Sequence, residues 1–447
     1  MAASLPVYVP RRRAWQFALS ESGLILLVLS AVLCARFGRD ALVLLRTGAA
    51  LPLVPLCLLA LLCFYGFDFY AAPQLSDWRC VWRRLPLAAG VLALQLAWLE
   101  YTWPALRLTP GWGMETVTVT ALVVAAFRPL VLAWARHRRR QAVLVVGAGP
   151  LADALCEQWH RHTELGLPLA GRLSRPHPVE LQALVGGAGG PWARRLLAAF
   201  PGGWEAVAPE LRRQLQTTGC ELEDGRIWYE RLSGQVPLAP LAEAPVSAPL
   251  PGLSWRAGKR AVDCGVAGVT LVLTAPLMLL LALLIRLDSP GPALFRQQRV
   301  GRGGRLFTLF KFRSMYCRTD AGEALPAQRH DPRCTRLGRW LRRLRLDELP
   351  QLLNILRGEM SLVGPRPFVP EQERQCLKAL DGYALRWRVL PGATGWAQVN
   401  RGYCVTLADN AEKLGYDLFY IKHLSLWFDF MILIQTAKVV FLGRGGQ

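Results

Sequence analysis

Residues 342–367 read RRLRLDELPQLLNILRGEMSLVGPRP and contain the features around which the rest of the chain is organised. Asp347 and Glu348 stand side by side just before Pro350. Proline is tolerated in a helix only within the first turn, where its missing N–H group has no partner to lose. The pattern therefore predicts that Asp347 and Glu348 begin a helix. The free backbone N–H groups at such an end favour anions, both the two carboxylates and a bound phosphate.

Arginines surround this acidic pair along the sequence. Arg342, Arg343 and Arg345 precede it, and Arg366 follows it in a Gly-Pro-Arg-Pro turn. A guanidinium group pairs with phosphate oxygens in a planar fork, so carboxylates among arginines indicate phosphoryl chemistry. Taken alone, an acidic pair at a helix start is also the usual pattern of a capped and solvated helix end. The other motifs of the chain decide between these two interpretations.

Five sequence blocks occur in order within residues 259–447. They are FRQQRVG (295–301), KFRSM (311–315), DELPQ (347–351), MSLVGPRP (360–367) and PGATGWAQV (391–399). In this order they resemble the bacterial sugar transferases that load a sugar phosphate onto undecaprenyl phosphate. The resemblance is to the monotopic phosphoglycosyl transferases, in a long form with additional N-terminal membrane helices. The ending of the chain, from Glu412 onward, looks most like members from exopolysaccharide systems.

The resemblance implies a two-step transfer of a hexose 1-phosphate from a UDP-sugar to undecaprenyl phosphate. Asp347 would attack the sugar-bearing phosphorus and release UMP, and the lipid phosphate would then attack the acyl phosphate. Glu348 would ligate a Mg²⁺ ion that bridges the diphosphate oxygens, because hard cations prefer oxygen ligands. Lys311 would contact the donor phosphate, and Arg342 and Arg366 would neutralise charge in the transition state. The residues alone do not decide which carboxylate attacks.

Two further candidate substrate contacts lie in the neighbouring blocks. Lys311 and Arg313 flank Phe312, so on an extended strand both cations would lie on the face opposite the aromatic ring. Two cations on one face suit a diphosphate. Gln398 and Trp396 lie in a turn-rich loop, where they could contact a base or a sugar, and Trp396 could equally be an interfacial anchor.

The composition narrows the class of protein. The 447 residues carry a net charge of +21, and 52% of them are hydrophobic. In a chain this apolar, membrane lipids with an anionic surface and anionic substrates are favoured as partners over nucleic acid, for which no compact recognition module is evident. The 11 cysteines include no C-x-x-C pair and no Cys/His cluster at zinc spacing, which indicates a reducing compartment.

Residues 1–140 contain four apolar stretches of about the length that crosses a bilayer. They are residues 19–35, 48–69, 85–103 and 114–134. Arginine clusters before the first stretch, between the second and third, and after the fourth place those regions in the cytoplasm by the positive-inside rule. The pattern predicts four spans in the bacterial inner membrane, with the catalytic domain facing the cytoplasm. We interpret the spans as an anchor, and homodimer formation through them stays open.

Residues 141–235 begin with a β-branched run and a glycine turn, QAVLVVGAGPLA (141–152). The pattern is typical of the first turn of a Rossmann fold, where glycines let backbone N–H groups approach a pyrophosphate. Pro150 departs from that fingerprint, and no acidic residue closes a clear second strand about 20 residues later. We therefore expect a degenerate Rossmann-like α/β module with a regulatory or assembly role, with cofactor binding as the less favoured alternative.

Membrane-bound nucleotide-sugar dehydratases and epimerases also resemble four spans followed by a strand and a glycine turn. Such enzymes need a Tyr-x-x-x-Lys pair, in which the lysine lowers the pKa of the tyrosine. None of the 10 tyrosines has a lysine four residues later, which disfavours this alternative. A non-catalytic scaffold of polysaccharide assembly would keep the helices but would not need Asp347, Glu348 and Lys311.

The catalytic domain, residues 259–447, follows a proline-rich linker over residues 236–258. It opens with an apolar segment, and Pro276 in the middle of that segment interrupts the helical hydrogen-bond ladder. A helix over residues 261–285 that enters the membrane, bends at Pro276 and returns would keep all later residues in the cytoplasm. The resemblance implies the same re-entrant helix, with Ala275 at a position where the family often has serine. An ordinary fifth span is the alternative.

Residues 424–442 form the last apolar segment, which polar residues interrupt. This pattern fits a helix in the membrane interface, with Trp427, Phe428 and Phe430 at headgroup depth. The sequence as a whole predicts a membrane protein with three parts. These are an α-helical transmembrane bundle, a small α/β Rossmann-like module, and an α-rich monotopic catalytic domain with a re-entrant membrane helix.

Overall fold

The computed structural model describes residues 20–31 without 22 and 29, 59–60, 63–64, 78–102, 112–138, 142–161, 169–174, 193–200, 209, 213, 221–238, 252–316, 331–401 and 406–441. The chain divides into two compact units, residues 1–234 and 235–447. The second apolar stretch lies almost entirely outside the described residues, as do the end of the first stretch and the middle of the linker. The predictions made for these segments stay predictions.

Two long helices of the first unit cover the third and fourth apolar stretches. They are α1 (Trp78–Thr102) and α2 (Trp112–Arg138). Leu92 of α1 and Val124 of α2 belong to one buried cluster, while Leu94 on the other side of α1 is 72% exposed. Among the described helices, one, Leu253–Asp288 of the second unit, is long and apolar enough to cross a membrane. The bundle of four spans therefore stays a prediction.

A parallel sheet lies next in the first unit, with the described strands in the order β2-β1-β3-β4. The elements are β1 (Ala142–Val146), α3 (Pro150–Arg161), β2 (Leu169–Leu173), β3 (Ala193–Ala198), β4 (Glu221–Asp224) and α4 (Gly225–Ser233). Alternate side chains of β1 point to opposite faces of the sheet. Val143 and Val145 pack in a cluster with residues of α3 and α4, whereas Leu144 and Val146 pack in a second cluster. Both faces of β1 are therefore buried, as is usual in parallel sheets.

The glycine turn after β1 is sterically required. Gly147 has a φ of +142°, and a Cβ atom on it would lie 2.4 Å from the carbonyl oxygen of Ala199. Arg172 of β2 donates to the Gly147 carbonyl oxygen and forms an ion pair with Asp153 of α3. This pair lies at the start of α3, the end at which a Rossmann fold binds its pyrophosphate.

The second unit is organised around α5 (Leu253–Asp288), a continuous helix of 36 residues. At a rise of 1.5 Å per residue it is about 54 Å long. Apolar side chains near its middle, such as Val272 and Leu279, are each 74% exposed, whereas Ala267 and Ile285 are buried against the rest of the unit. Pro276 lies inside the helix, which continues through it, so the re-entrant bend stays a prediction.

Short strands and helices fold around the buried parts of α5. β5 (Leu294–Val300) and β6 (Leu306–Phe312) pair antiparallel, and β7 (Ser361–Val363) pairs with β8 (Gly392–Thr394) in parallel. The helices are α6 (Arg336–Arg343), α7 (Gln351–Arg357), α8 (Pro370–Ala379), α9 (Trp396–Asn400), α10 (Leu407–Lys422) and α11 (Leu426–Phe441). Phe312 of β6 and Leu341 of α6 pack with Ile285 of α5, and this contact holds the hairpin and α6 against the long helix.

An aromatic cluster joins α9, α10 and α11. Trp396 is only 7% exposed, and its ring centroid lies 5.1 Å from that of Phe428, which is 3% exposed. Phe428 therefore packs inside the protein, its depth in a membrane stays a prediction, and the interfacial-anchor interpretation of the buried Trp396 is wrong. Both rings pack with Phe419 of α10, because burial of three large rings together removes more apolar surface from water than exposure of any one. Trp427 remains 40% exposed.

A buried ion pair fixes α11 to the start of α5. Lys259 Nζ lies 2.7 Å from Asp429 Oδ2, and the Tyr420 hydroxyl donates to Asp429 Oδ1 at 2.7 Å. Asp263, one turn along α5 from Lys259, accepts a hydrogen bond from the backbone N–H of Leu362. These contacts explain why a carboxylate interrupts the apolar sequence of α11.

Candidate active site

Both carboxylates lie in a separate turn between α6 and α7. α6 ends at Arg343, and Arg345 then adopts a left-handed conformation with a φ of 55°. A 3₁₀ turn over Leu346–Glu348 follows, and α7 begins at Gln351 with Pro350 as its N-cap. The prediction that the acidic pair begins the helix is therefore wrong by one turn. The physical reason is that Pro350 has no N–H group with which to continue the hydrogen bonds of the 3₁₀ turn into α7.

Glu348 is held by cations from three segments of the chain. Lys311 Nζ and Arg366 Nη2 each lie 3.0 Å from its Oε1, and Arg345 Nη1 lies 3.6 Å from its Oε2. Burial alone would raise the pKa of this carboxyl, but the three cations outweigh burial and hold the pKa well below its usual range. Glu348 is therefore ionised at neutral pH, and it links β6, the turn and the loop of Arg366.

Asp347 has a different environment from its neighbour. It is 9% exposed, and among the described residues no group forms a hydrogen bond or ion pair with its carboxylate. Burial raises the pKa of Asp347, and the negative charge of Glu348 raises it further. Lys311, Arg342 and Arg366 lower the pKa but do not reverse the upward shift. The turn thus presents two unlike carboxylates. Glu348 is paired with cations, whereas Asp347 forms no such pair among the described residues and is more basic.

Lys311 reaches the site from β6. Burial lowers the pKa of its ammonium group, and the neighbouring Arg366 also lowers it, whereas the two carboxylates raise it. Asn354 of α7 holds the strand, since its Oδ1 accepts from the Phe310 N–H at 3.1 Å and its Nδ2 donates to the Thr308 carbonyl at 2.7 Å. The lysine therefore projects from a strand whose position is set by the same helix that follows the carboxylates.

Arg342 lies in the last turn of α6, and its Nη1 is 3.0 Å from the Sγ atom of Cys334. It lowers the pKa of Asp347 through its charge. Arg342 thus acts on Asp347 through its charge, whereas Lys311, Arg345 and Arg366 form ion pairs with Glu348.

The loop that presents Arg366 is held at its backbone by two further arginines. Arg386 Nη2 donates to the Arg366 carbonyl oxygen at 2.8 Å, and Arg299 Nη1 donates to the Pro367 carbonyl oxygen at 3.1 Å. Gly364 permits the close packing of this loop, because a Cβ atom there would lie 2.4 Å from the Leu390 carbonyl oxygen. The half-exposed guanidinium of Arg366 therefore extends toward Glu348 from a fixed backbone.

Arg313 and Gln398 donate hydrogen bonds to backbone carbonyl oxygens. β6 ends at Phe312, so the strand alternation that predicts a shared face for Lys311 and Arg313 no longer applies. The Arg313 guanidinium is buried and donates to carbonyl oxygens at the end of α5, including those of Ile285 (3.0 Å) and Pro290 (2.8 Å). Gln398 Nε2 donates to the Ala393 carbonyl oxygen at 3.2 Å, and its Oε1 has no hydrogen-bond partner in the described part of the chain.

The sequence motifs assign no individual role to three residues of the site, which are Arg345, Arg299 and Arg386. Arg345 is visible there as one of several arginines, and its short distance from the acidic pair is a signal that could have singled it out. Arg299 and Arg386 act through bonds to backbone carbonyl groups. Such bonds leave no motif, because any carbonyl can accept them.

The carboxylate oxygens of the turn are of the type that binds magnesium together with a substrate. Among the described residues no group of three or more His, Cys, Asp or Glu could hold a metal ion by itself. Mg²⁺ is usually bound by one or two carboxylates together with substrate phosphates. The carboxylate of Asp347 and the Oε2 of Glu348, from which Arg345 is 3.6 Å away, are hard oxygen donors of that kind.

Comparison with known proteins places this region in a family. A family model described as "Bacterial sugar transferase" matches residues 254–443. The matched range contains Lys311, both carboxylates and Arg366. The family resemblance inferred from the motifs is confirmed.

Curated relatives with named activities match the chain as well. The UDP-N-acetylgalactosamine-undecaprenyl-phosphate N-acetylgalactosaminephosphotransferase of Aeromonas hydrophila is 42% identical over 222 residues, which are 49% of this chain and 52% of the relative. The undecaprenyl-phosphate glucose phosphotransferase of Komagataeibacter xylinus is 47% identical over 223 residues, 48% of this chain and 41% of the relative. The UDP-glucose:undecaprenyl-phosphate glucose-1-phosphate transferase of Escherichia coli is 35% identical over 331 residues, 70% of each protein.

The chain thus spans about half the length, or less, of the first two relatives. It spans 70% of the third. The similarity, taken together with the apolar helix α5, indicates that the protein is associated with a membrane.

Proposed function

Because the chain belongs to the bacterial sugar transferase family, we propose that it transfers a sugar 1-phosphate from a UDP-sugar to undecaprenyl phosphate. The observation that carries this proposal is the pair of unlike carboxylates. Glu348 is ionised and held by Lys311 and Arg366, whereas the adjacent Asp347 forms no ion pair or hydrogen bond with any described group and is more basic. The names of the relatives, which include UDP-sugars and undecaprenyl phosphate, support the same substrate classes for this chain.

The reaction consists of two displacements at one phosphorus atom. A carboxylate oxygen of Asp347 attacks the phosphorus that bears the sugar, the bond from that phosphorus to the oxygen of UMP breaks, and an aspartyl phosphosugar remains. A phosphate oxygen of undecaprenyl phosphate then attacks the same phosphorus, and Asp347 leaves as a carboxylate. The product is undecaprenyl-diphosphate-sugar. Burial supports Asp347 as the nucleophile, because a carboxylate with a raised pKa is a stronger nucleophile than an ordinary one.

The cations around Glu348 are arranged in advance for the donor diphosphate. Lys311 and Arg366 converge on a single carboxylate oxygen, so both cations already lie together where they can also contact phosphate oxygens of the donor. Arg342 lies on the side of Asp347 and neutralises charge that develops at the attacked phosphorus. Glu348 and Asp347 would hold Mg²⁺ together with the substrate phosphates, and the ion would neutralise part of the charge of the diphosphate.

The location follows from the substrates. UDP-sugars are cytoplasmic, so the catalytic domain faces the cytoplasm of a bacterial inner membrane, which the N-terminal spans cross. A re-entrant α5 that bends at Pro276 keeps both of its ends on that side. The Thr274 hydroxyl donates to the Thr270 carbonyl oxygen at 2.7 Å, and such a bond to the preceding turn favours a bend. Thr274 thus offers a local hydroxyl that the neighbouring Ala275 lacks.

The α/β module of the first unit has a role other than catalysis in this proposal. Its parallel strand order resembles half of a Rossmann fold, but the Arg172–Asp153 pair lies at the start of α3, where a pyrophosphate would be bound. The pair supports a degenerate module that acts in regulation or assembly.

The undecaprenyl-diphosphate-sugar that the reaction forms serves as the first lipid-linked sugar of an exopolysaccharide or another surface glycan.

The proposal is tested with a panel of donors. Membranes that contain the protein, Mg²⁺ and undecaprenyl phosphate are incubated with UDP-glucose, UDP-galactose or UDP-N-acetylgalactosamine. We expect UMP and a lipid-linked sugar diphosphate from one of them. If no donor yields UMP while the Escherichia coli relative does so in the same membranes, the transferase proposal fails and the scaffold of polysaccharide assembly takes its place.

Removal of Arg342 is expected to shift the pH dependence of the reaction. Asp347 attacks only when ionised, so kcat/KM falls as the pH drops through its raised pKa. Arg342→Gln removes a charge that lowers this pKa, so the pKa rises further. The acidic limb of the plot of kcat/KM against pH therefore moves to higher pH. The exposed Arg374→Gln on α8 serves as the control and should leave the limb in place. An unmoved limb in Arg342→Gln would contradict the assignment.

Arg386→Lys is expected to lower kcat/KM about tenfold, because Arg386 holds the backbone of Arg366 and a displaced substrate-binding group slows the reaction. Arg386 is 6% exposed, donates through Nε to Asp417 at 2.8 Å, and holds the Arg366 carbonyl through Nη2. A lysine keeps the charge but cannot make both bonds at once. UMP release against donor concentration and the melting temperature are measured together. If the variant melts at a lower temperature but keeps its full kcat/KM, Arg386 does not position Arg366.

A further inference from the structure

One face of α6 carries three arginines and a tryptophan. Arg336, Arg339, Trp340 and Arg343 follow one another at spacings of three, one and three residues, which places them on the same side of the helix. All four side chains are exposed, and Trp340 is 62% exposed. α6 contains no acidic residue. We call these four residues the basic face of α6.

The opposite side of α6 packs against the apolar helix of the protein. Leu341 is 1% exposed and lies in one cluster with Leu281 and Ile285 of α5. Leu337, one turn earlier in α6, packs against the same cluster. α6 therefore lies alongside the C-terminal part of the helix that is long and apolar enough to cross a membrane.

We propose that the basic face of α6 binds the phosphate headgroups of anionic phospholipids. The proposal rests on the membrane association of α5, because it is α5 that brings α6 to the lipid surface. Guanidinium groups pair with phosphate oxygens in a planar fork, and tryptophan prefers the depth of the headgroups. Basic residues near an anionic leaflet are attracted to it, and three of them on one stripe match its charge.

Such binding has a consequence for the reaction. The basic face ends at Arg343, and three residues, 344–346, separate it from Asp347. The lipid acceptor carries its phosphate in the headgroup layer, so contact between α6 and the headgroups sets the depth of Asp347 relative to that phosphate. The basic face should therefore affect the use of the lipid acceptor and leave the use of the soluble UDP-sugar unchanged.

The proposal is tested on the full chain in nanodiscs of phosphatidylcholine, with or without phosphatidylglycerol. The variant Arg336→Gln/Arg339→Gln/Arg343→Gln is compared with a matched control that removes three exposed cations elsewhere, Arg302→Gln/Arg374→Gln/Lys378→Gln. We expect the α6 variant to raise the KM for undecaprenyl phosphate about tenfold in anionic discs. The KM for the UDP-sugar and the kcat should not change, and the control should behave as the parent protein.

Hydrogen exchange provides a readout that does not depend on activity. Backbone amides of residues 336–343 should exchange more slowly in anionic discs than in neutral discs in the parent protein, and equally in the α6 variant. Equal exchange in both discs for the parent overturns the proposal. So does protection that appears only on addition of undecaprenyl phosphate to neutral discs, which would assign the face to the acceptor. Protection that depends on protein concentration in detergent would assign it to a second copy of the chain and also overturn it.

Discussion

Asp347→Asn should abolish turnover, with UMP release reduced on the order of 10⁴-fold or more, as expected for loss of an attacking group. The substitution keeps the size and shape of the side chain but removes the negative charge that makes the carboxylate oxygen a nucleophile. Because no described group forms a hydrogen bond or ion pair with the Asp347 carboxylate, the change breaks no such contact within the described part of the chain. The loss of activity should therefore occur without a loss of stability.

The covalent step can be measured directly. The protein is incubated with a UDP-sugar labelled in the sugar, in the absence of undecaprenyl phosphate. The parent protein should retain label that hydroxylamine releases, because an acyl phosphate is cleaved by this nucleophile, and Asp347→Asn should retain none. Glu371→Gln on α8 is the matched control, since Glu371 is an exposed carboxylate outside the site. UMP release within tenfold of the parent in Asp347→Asn would exclude Asp347 as the nucleophile.

Glu348→Gln is expected to lower kcat by about 10² to 10³-fold and to destabilise the protein by about 3 kcal/mol. Lys311 and Arg366 both bind the same oxygen of this carboxylate, and Arg345 lies near the other. Without its charge, three cations remain close together in a largely buried site and repel one another. The lysine, whose pKa burial already lowers, would then give up its proton more readily.

This variant also separates the roles of the two carboxylates. Glu348 raises the pKa of Asp347 through its charge, so the pKa falls in Glu348→Gln and the acidic limb of the remaining activity moves to lower pH. That shift is opposite to the one expected for Arg342→Gln. UMP release against pH and thermal unfolding are the measurements. An unchanged melting temperature, or a limb that moves to higher pH, would show that Glu348 is not the counterion of this cluster.

The charged residues that come together at the site could be picked out from the sequence because they lie in local motifs. Lys311, the acidic pair and Arg366 lie in separate blocks, and the structure brings all of them together. Each of these blocks combines charged residues and turn residues in a way that is rare, such as two carboxylates before a proline. Such blocks in a fixed order are specific to a family, which is why the resemblance identified the family.

Residues whose position depends on where an element ends could not be predicted in this way. Arg313 follows Phe312, the last residue of β6, so its side chain turns to the carbonyl groups at the end of α5 and not to the face of Lys311. Trp396 looks like a surface aromatic in a turn-rich loop, but three helices converge on it and bury it. In both cases the neighbours that decide the outcome are distant in sequence.

By itself, then, the sequence determined the family, the acidic pair, the lysine and the arginine of the site, and an apolar segment long enough to cross a membrane. The tertiary structure decided the difference between the two carboxylates. Asp347 and Glu348 are chemically similar neighbours, and they become unlike only because Lys311 and Arg366 arrive from other parts of the chain and bind one of them. Charge interactions of this kind depend on distance in space and on burial, and neither can be read from adjacent letters in a sequence.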